Sequence, residues 1–333
     1  QLRGGMDASQ YKDYILVLLF MRYVTDKYYG KRDALIEVPV GGSFHDLVKL
    51  KGDKEIGDKT NVVIRKMADA NDLVGVITVA DFNDADKLGK GKEMVDRLTN
   101  LVAIFEDPEL DFGGNGADGD DILGDAYEYL MKHFATESGK SKGQFYTPSE
   151  VSRIMAKVIG IEKAKSQSQT IYDPTCGSGS LLLKAADEAQ RGVTIYGQEK
   201  DVATVALAKM NMILHGNEIA EIQQGDTISS PEFKNPDGTL KTFDFAVANP
   251  PFSTKSWSSG LDPQNDEFDR FTGYGIPPAK NGDYAFLLHF IKSLKSKGKG
   301  AIILPHGVLF RGNAEAEIRK NIIRKGYFKG IIG

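Results

Sequence analysis

The residues Asn249-Pro250-Pro251-Phe252 follow an apolar run and could act together on a planar amine. The side-chain oxygen of Asn249 and the carbonyl of Pro250 could each accept one N–H of that amine. Two prolines stiffen the exit of a strand, because proline has a fixed φ and no backbone N–H. Phe252 could stack on the face of an aromatic base. The pattern predicts catalysis on the amino group of a ring, and a stiff strand exit with a buried phenylalanine is the alternative interpretation.

A second cluster, Asp173 to Ser180, contains Gly177 and Gly179 between an apolar strand and a helix. Glycines at such a turn let the backbone approach a ligand closely, and the helix N-terminus favours negative charge. A dinucleotide fingerprint needs a third glycine, and Leu182 stands in its place, which argues against an NAD enzyme. A tight turn without any ligand is the alternative interpretation.

Two acidic residues follow the next two apolar segments. Glu199 ends the second predicted strand, where a carboxylate can accept hydrogen bonds from ribose hydroxyls. Asp226 lies just past Gly225, after the following segment. Because the carboxyl ends of parallel strands share one edge of a sheet, the glycine turn, Glu199 and Asp226 predict a nucleoside pocket at a topological switch point.

The elements that position these residues alternate between strand and helix after Gly143, which predicts a mostly parallel sheet covered on both faces. The predicted strands are Thr170 to Tyr172, Val193 to Gly197, Phe243 to Ala248, Gly300 to Leu304 and Tyr327 to Ile332. The predicted helices are Leu181 to Ala189, Val202 to His215, Tyr284 to Leu294 and Ala314 to Lys325. A capping box with Thr147 as N-cap, Pro148 in the first turn and Glu150 at the third position predicts a further helix through Ile159.

The front of the chain reads as helical. Apolar residues recur at helical spacing from Asp7 to Tyr29, and amphipathic helices are predicted at Asn61 to Ala70, Glu93 to Glu106 and Asp121 to Thr136. We therefore predict an N-terminal helical domain over residues 1–140 and an α/β domain over residues 141–333. Ser253 to Asn281 is long, polar and without a regular pattern, so it is either functional or mobile. Its aromatic residues suggest a loop that orders around a ligand, and a disordered surface insertion is the alternative.

In order along the chain, Gly143-Gln144-Phe145-Tyr146-Thr147-Pro148, the glycine turn and Asn249 to Phe252 resemble amino-group DNA methyltransferases acting on adenine N6. More closely, with Leu2 to Ser9 at the front, the chain resembles the modification (M) subunit of a type I restriction-modification system. The resemblance covers nearly the whole chain. It implies the Rossmann-like α/β fold of S-adenosylmethionine-dependent methyltransferases with an N-terminal helical domain, truncated at its C-terminal end relative to family members.

The resemblance also implies a cofactor, S-adenosylmethionine, lying across the sheet edge. The residues implied to bind it are Gln144, Phe145, Tyr146, Thr147, Pro148, Ser149, Asp173, Gly177, Ser178, Gly179, Ser180, Glu199 and Asp226. The implied catalytic residues are Asn249, Pro250, Pro251 and Phe252, acting on an adenine flipped out of the duplex. Direct methyl transfer of this kind uses no metal and no catalytic cysteine. Cys176 therefore reads as a packing residue, and the five histidines lack metal-ligand spacing.

The implied partners are double-stranded DNA, a specificity subunit, a second M subunit and a restriction/translocase subunit. A net charge of -4 alone argues against a protein that grips DNA over its whole surface. The charge is divided, however, because residues 1–150 are acidic overall and residues 151–333 are basic overall. The basic stretches Lys292 to Lys299 and Arg311 to Lys329 are candidate linings of a DNA channel. The ligand around which Ser253 to Asn281 would order is then DNA.

The composition favours a globular cytoplasmic protein with no membrane role. The single cysteine fits a reducing compartment, and the longest apolar run near the start is too short to cross a bilayer. Three alternatives to a type I M subunit are left open. These are a stand-alone adenine methyltransferase, a protein glutamine methyltransferase, and a cofactor-binding scaffold without catalysis.

Overall fold

The structure is a computed structural model that describes residues 8–110 and 147–333. The chain divides into two compact units, one of Gln1–Lys142 with Ala206–Glu218 and the other of Gly143–Val205 with Ile219–Gly333. The predicted domain boundary at residues 140 and 141 lies outside the described residues and stays a prediction. So does the predicted helix from Asp121 to Thr136. Among the described helices, none combines the length and the apolar character that crossing a membrane requires.

The first unit is helical in its described part, as predicted. Its helices are α1 (Ala8–Tyr28), α2 (Phe44–Val48), α3 (Ile56–Ala70), α4 (Ala85–Leu88) and α5 (Lys92–Phe105). Helix α1 is buried on nearly all sides, since every residue from Leu16 to Met21 is at most 5% exposed. The Tyr14 hydroxyl donates to the carbonyl of Asp81 (3.0 Å), which ties this central helix to a distant loop.

The second unit is built on a five-stranded sheet with the order β3-β2-β1-β4-β5. Its strands are β1 (Thr170–Asp173), β2 (Thr194–Glu199), β3 (Glu221–Gln224), β4 (Phe243–Ala248) and β5 (Leu294–Ile302). All four strand pairs are parallel. The predicted α/β class and parallel sheet are confirmed. The short edge strand β3 was not among the predicted strands, because only Ile222 of its four residues is buried.

Three of the described helices contact this sheet: α6 (Ser149–Ile159), α7 (Ser180–Asp187) and α9 (Asp283–Lys292). Two further helices follow in the chain order, α8 (Val202–Leu214), most of which belongs to the first unit, and α10 (Asn313–Arg324). Helix α7 packs against β1, β2 and β4, while α6 and α9 pack against β5. Four predicted helices therefore exist with ends shifted by one or two residues. The start of α6 differs from the prediction, because Pro148 is its N-cap and no side chain caps it. The predicted capping box of Thr147 and Glu150 is wrong.

The amino end of the sheet is held by the Asp244 carboxylate. Its Oδ2 accepts from the backbone N–H and the hydroxyl of Thr170, both at 3.0 Å. The same oxygen pairs with Lys295 Nζ at 2.7 Å. One side chain of β4 therefore contacts the first residues of both neighbouring strands, β1 and β5.

The predicted fifth strand, Tyr327 to Ile332, is irregular in the structure. A strand needs a hydrogen-bonding neighbour, and this segment pairs with no strand of the described sheet. Its apolar side chains Tyr327, Phe328, Ile331 and Ile332 are at least half exposed. The strand predicted at Gly300 to Leu304 begins six residues earlier, at Leu294, and ends at Ile302.

The segment from Ser253 to Asn281 contains turns and one short 3-10 turn, Pro263–Asn265, and it is packed into the unit. Trp257, Phe268 and Phe271 are buried, so these aromatic residues form core and are not presented to a ligand. Trp257 Nε1 donates to the carbonyl of Pro278 (2.8 Å). The disordered surface insertion considered for this segment is therefore excluded.

Arg270 lies at the centre of that packing and is 1% exposed. Its Nη2 pairs with Asp266 Oδ1 at 2.6 Å, and its Nη1 contacts the carbonyl of Thr227 and His289 Nδ1, both at 3.4 Å. The other ring nitrogen, Nε2 of His289, lies 3.3 Å from the Tyr172 hydroxyl of β1. Burial, with the Arg270 charge adding to it, lowers the pKa of His289 to about 3. The ring is therefore neutral and Nδ1 accepts from Arg270, since arginine only donates.

Candidate active site

The two motifs that the sequence singles out follow neighbouring strands. The glycine turn follows β1 and Asn249 follows β4, and these strands pair directly through Ile171 with Phe245 and Tyr172 with Ala246. In the order β3-β2-β1-β4-β5, the chain changes direction of growth between β1 and β4, and ligands bind at such a switch point. The sheet therefore places both motifs at one edge, beside each other.

The glycine turn is held in place by Glu199. The Gly177 N–H donates to Glu199 Oε2 (3.1 Å), and the Asp201 N–H donates to Oε1 (2.9 Å). Gly177 and Gly179 have φ of +55° and +81°, the left-handed region where a side chain is disfavoured. Burial raises the pKa of Glu199, although these backbone hydrogen bonds oppose the shift. The carboxylate thus organises the turn and lies where a hydroxyl-bearing ligand could be bound.

Asp173, the last residue of β1, is a second buried carboxyl at this edge. Its Oδ1 accepts from the backbone N–H of Thr175 at 2.8 Å. Burial raises its pKa to about 8, and the nearby Glu199 charge adds to that shift. A cationic ligand would stabilise the ionised form of these carboxyls, and hydroxyl groups would donate hydrogen bonds to them.

Gln198 of β2 fixes the next loop along the edge. Its Nε2 donates to the carbonyl of Ser230 (2.9 Å), and its Oε1 accepts from the N–H of Glu232 (3.0 Å). Nothing in the sequence pattern indicates this role, since Gln198 has the place of an ordinary strand residue. A Cβ on the adjacent Gly197 would lie within 3.0 Å of Ile222, Cys176 and Leu182. Gln198 therefore holds the loop at Ser230 in place, and Gly197 leaves room for the side chains that pack around the glycine turn.

Asp226 follows β3 and is bonded within its own loop. Its Oδ1 accepts from the N–H groups of Ile228 (2.9 Å) and Ser229 (3.2 Å), and its Oδ2 pairs with Lys200 Nζ at 2.8 Å. Burial acts to raise its pKa, but the hydrogen bonds from Lys200 and the two amides outweigh it, so the net shift is downward. Asp226 lies at the predicted edge as an ionised group that shapes the loop.

Asn249 is oriented by Thr147. Its Nδ2 donates to the Thr147 hydroxyl oxygen at 3.2 Å. Thr147 is buried and lies just before α6, so the hydrogen bond joins two predicted motifs that are far apart in sequence. With Nδ2 directed at Thr147, the carbonyl oxygen Oδ1 lies on the other branch of the planar amide. The sequence pattern offered no signal for this pairing.

The other three residues of the Asn-Pro-Pro-Phe motif become more exposed from Pro250 to Phe252. Pro250 is buried, Pro251 is half-buried, and Phe252 is 42% exposed. An aromatic ring that remains exposed beside a buried turn is available for stacking. The buried phenylalanine considered as the alternative is therefore excluded.

The other residues predicted to bind the cofactor differ in burial. Ser178 and Ser180 are buried and their hydroxyl oxygens lie 3.0 Å apart at the start of α7. Pro148 is exposed and Ser149 is half-buried. Gln144, Phe145 and Tyr146 lie outside the described residues.

The two basic stretches have structural partners. Lys295, in the first, lies at the amino end of β5 and pairs with Asp244, at the end of the strands opposite to Asn249. In the second, Arg319 donates to the carbonyls of Val308 (2.9 Å) and Arg311 (3.1 Å). Lys295 and Arg319 therefore stabilise the fold, and the DNA channel predicted for the two stretches stays a prediction.

Two family models match the chain. Residues 118–333 match N-6 DNA Methylase, and residues 1–105 match HsdM N-terminal domain. The first match begins inside the segment Gln1–Lys142 of the first unit and covers the rest of the chain, and the second match lies wholly within that segment.

Curated relatives align over most or all of the chain. It is 29% identical to the type I restriction enzyme MpnII methylase subunit of Mycoplasma pneumoniae, covering 100% of this chain and 70% of that protein. It is 28% identical to the MjaIX methylase subunit of Methanocaldococcus jannaschii, covering 100% and 64%. With the HindI methylase subunit of Haemophilus influenzae the identity is 32%, covering 86% and 61%. The chain thus spans roughly two thirds of the length of these relatives.

Solved structures share the fold. The methyltransferase subunit of a type I restriction-modification system from Streptococcus thermophilus superposes with a TM-score of 0.84 at 32% identity, covering 98% of this chain and 76% of that chain. A Listeria monocytogenes protein described as a class I S-adenosylmethionine-dependent methyltransferase gives a TM-score of 0.53 at 15% identity, covering 84% and 79%. The second likeness concerns the fold alone. The predicted methyltransferase fold is confirmed.

Proposed function

The chain belongs to the N-6 DNA methylase family, and from that premise we propose that it methylates N6 of adenine in double-stranded DNA. The observation that carries the proposal is the adjacency of β1 and β4, which brings the glycine turn and the Asn249 motif to one edge of the sheet. One motif suits a nucleoside cofactor and the other suits a planar amine. A methyl donor and an acceptor base could therefore meet there.

The residues at this edge fit S-adenosylmethionine. Glu199, already oriented by Gly177, has lone pairs suited to ribose hydroxyls. The side-chain-free turn at Gly177 and Gly179, at the N-terminus of α7, suits a carboxylate. The buried carboxyls suit a cationic ligand. When bound, S-adenosylmethionine supplies a methyl group carried on a positively charged sulphur.

Asn249, Pro250 and Phe252 would hold the acceptor. The Asn249 Oδ1 and the Pro250 carbonyl would each accept one N–H of the adenine amine. Drawing both hydrogens to one side would free the nitrogen lone pair from the ring and direct it toward the methyl group. The nitrogen would bond to the methyl carbon as the bond between that carbon and sulphur breaks, and it would then release one proton to solvent. Phe252 would stack on the base, which must leave the duplex to reach the site. Thr147 would keep the Asn249 amide in the required orientation. The acceleration would come from positioning and preorganised dipoles.

We further propose that the chain works in a type I complex with a specificity subunit, a second M subunit and a restriction/translocase subunit. The names of the curated relatives and the match of residues 1–105 to the HsdM N-terminal domain support this. Sequence choice would then come from the specificity subunit. The same match disfavours a protein glutamine methyltransferase.

The test is transfer of labelled methyl from S-adenosylmethionine to unmodified DNA, by the chain alone and with its co-expressed partner subunits. We expect transfer to adenine that requires the specificity subunit, and its loss by at least about a hundredfold in Asn249→Ala. Asn235→Ala, in a distant turn, is the matched control and should leave the rate unchanged. Sequence-specific methylation by the chain alone would point to a stand-alone enzyme. Full activity of Asn249→Ala would refute the mechanism.

A further inference from the structure

Ser253, the residue after the Asn-Pro-Pro-Phe motif, adopts an unusual backbone conformation. Its φ is +53°, in the left-handed region that a non-glycine residue rarely adopts. In this conformation its N–H donates to Asp283 Oδ1 at 2.7 Å. Thr254 Oγ1 donates back to the Pro251 carbonyl at 3.1 Å. The exit of the motif is therefore held by specific hydrogen bonds.

Asp283 belongs to a buried ion cluster. It is 1% exposed, and its Oδ2 pairs with Arg311 Nη2 at 2.6 Å. Arg311 Nη1 reaches Glu315 Oε1 at 3.1 Å, and Glu315 is also buried. Burying two carboxylates is costly unless they are paired, and the Arg311 guanidinium pairs with both. We name Asp283, Arg311 and Glu315 the ion triad.

The ion triad joins the loops that follow β4 and β5. Arg311 ends the loop after β5, and its N–H donates to the Gly307 carbonyl at 3.0 Å. The Tyr284 hydroxyl, next to Asp283, donates to the Val308 carbonyl of the same loop at 2.7 Å. Both loops leave the carboxyl edge of the sheet, so one cluster of charges sets their relative position.

We propose that Asp283 is a positioning residue for methyl transfer, and that Arg311 and Glu315 hold it in place. If the turn served only to reverse the chain, glycine at position 253 would adopt this conformation without strain, and no buried charge would be needed. Here the strained backbone of Ser253 and the three ions of the triad fix the direction of the Ser253 N–H. Ser253 directly follows Phe252, the residue proposed to stack on the base. The ion triad would thus fix Phe252 and Pro251 relative to Asn249. This inference rests on the proposed function.

The test compares Asp283→Ala and Asp283→Asn in the complex assembled with its partner subunits. Single-turnover methylation of saturating DNA and the Kd for S-adenosylmethionine are measured well below each thermal midpoint. We expect Asp283→Ala to slow methylation about tenfold to a hundredfold while cofactor affinity stays within about threefold, because misplacement by about 1 Å costs that much. Asp283→Asn keeps an oxygen acceptor for Ser253 and should recover part of the rate.

Glu315→Gln and Glu317→Gln form a matched pair on α10, since Glu317 makes an exposed ion pair with Lys320. Glu315→Gln should slow methylation and Glu317→Gln should not. A wild-type rate in Asp283→Ala, or a parallel loss of rate, cofactor affinity and thermal midpoint in all ion triad variants, would overturn the inference. An inactive wild-type complex would instead reject the proposed function. If Asp283→Ala does not fold, the Asp283→Asn and Glu315→Gln rates decide the question.

Discussion

The hydroxyl of Thr147 accepts a hydrogen bond from the side-chain amide of Asn249, 102 positions further along the chain. Thr147 belongs to the motif that resemblance assigns to the cofactor, and Asn249 to the motif proposed to bind the base. The hydrogen bond therefore connects the two halves of the proposed reaction. Thr147 also remains a candidate cofactor ligand, so its two roles have to be measured separately.

Replacing Thr147 by valine should slow methyl transfer about threefold to tenfold. The change keeps the shape and removes the acceptor for Asn249, and one such hydrogen bond is worth about 0.5–1.5 kcal/mol. The measurement is the single-turnover rate at saturating cofactor. Thr147→Ser keeps the hydroxyl and should stay near the wild-type rate. Equal rates for the valine and serine variants would show that the hydrogen bond is dispensable.

The stability of the cofactor-free chain should depend on the protonation of Asp173. Its pKa is raised from 3.8 to about 8, so the folded state binds this proton more tightly than the unfolded state. The stability that this proton contributes is complete below pH 3.8 and is lost as the pH rises to about 8. Asp173→Asn cannot ionise. Between pH 5 and 7 the wild type should therefore lose up to about 1.4 kcal/mol per pH unit relative to that variant.

Urea unfolding at several pH values measures this difference. Asp237→Asn is a suitable control, because Asp237 lies on an exposed turn and its lowered pKa leaves it ionised in both states over this window. Parallel curves for wild type and Asp173→Asn would show that Asp173 is ionised in the folded chain.

Removing the buried charge of Arg270 should destabilise the chain strongly. Arg270→Met leaves the Asp266 carboxylate buried without its partner, which costs about 3–5 kcal/mol. The pair Arg65 and Asp69 has the same spacing of four residues but is more than half exposed, so Arg65→Met should cost less than about 1 kcal/mol. Urea denaturation compares the two. Similar losses would mean that the buried network does not hold the segment from Ser253 to Asn281.

Gly197→Ala should lower stability by about 1–3 kcal/mol, because the new methyl group would lie 2.8 Å from Ile222 Cδ1 and 3.0 Å from Cys176 Sγ. Cys176 belongs to the glycine turn itself, so the affinity for S-adenosylmethionine should fall as well. Gly330→Ala has open space around it and is the control. Thermal unfolding and calorimetric binding test the two effects. A thermal midpoint equal to that of Gly330→Ala would contradict the expected clash.

The sheet was predictable because its buried strands are short apolar runs separated by turn residues. Phe243–Ala248 was predicted to the residue, since its strand signal is continuous and ends at two prolines. The edge strand Glu221–Gln224 was missed because exposed polar residues carry no period-two pattern. Tyr327 to Ile332 reads as a strand by composition alone, but composition does not supply a pairing neighbour.

The candidate site was predictable where chemistry is local in sequence, as in the glycine turn and Asn249 to Phe252. The contacts that support it were not predictable. Thr147 was named from its motif, but its hydrogen bond to Asn249 was not, and Asp283 and Arg270 were not named at all. These side chains act through partners that are distant in sequence, and their types are common on protein surfaces. Their roles depend on burial and direction, which a single sequence does not encode locally.

The Asp244 carboxylate, which joins β1, β4 and β5 at the amino end of the sheet, lies one strand length away from the groups proposed to react. Two ends of the same strand can therefore change independently in evolution. Substitutions around Asp244 would change the stability of the fold, while substitutions after Ala248 would change the proposed methyl transfer. Selection for stability at a new temperature or salt concentration could therefore act at the Asp244 end of β4 without displacing Asn249.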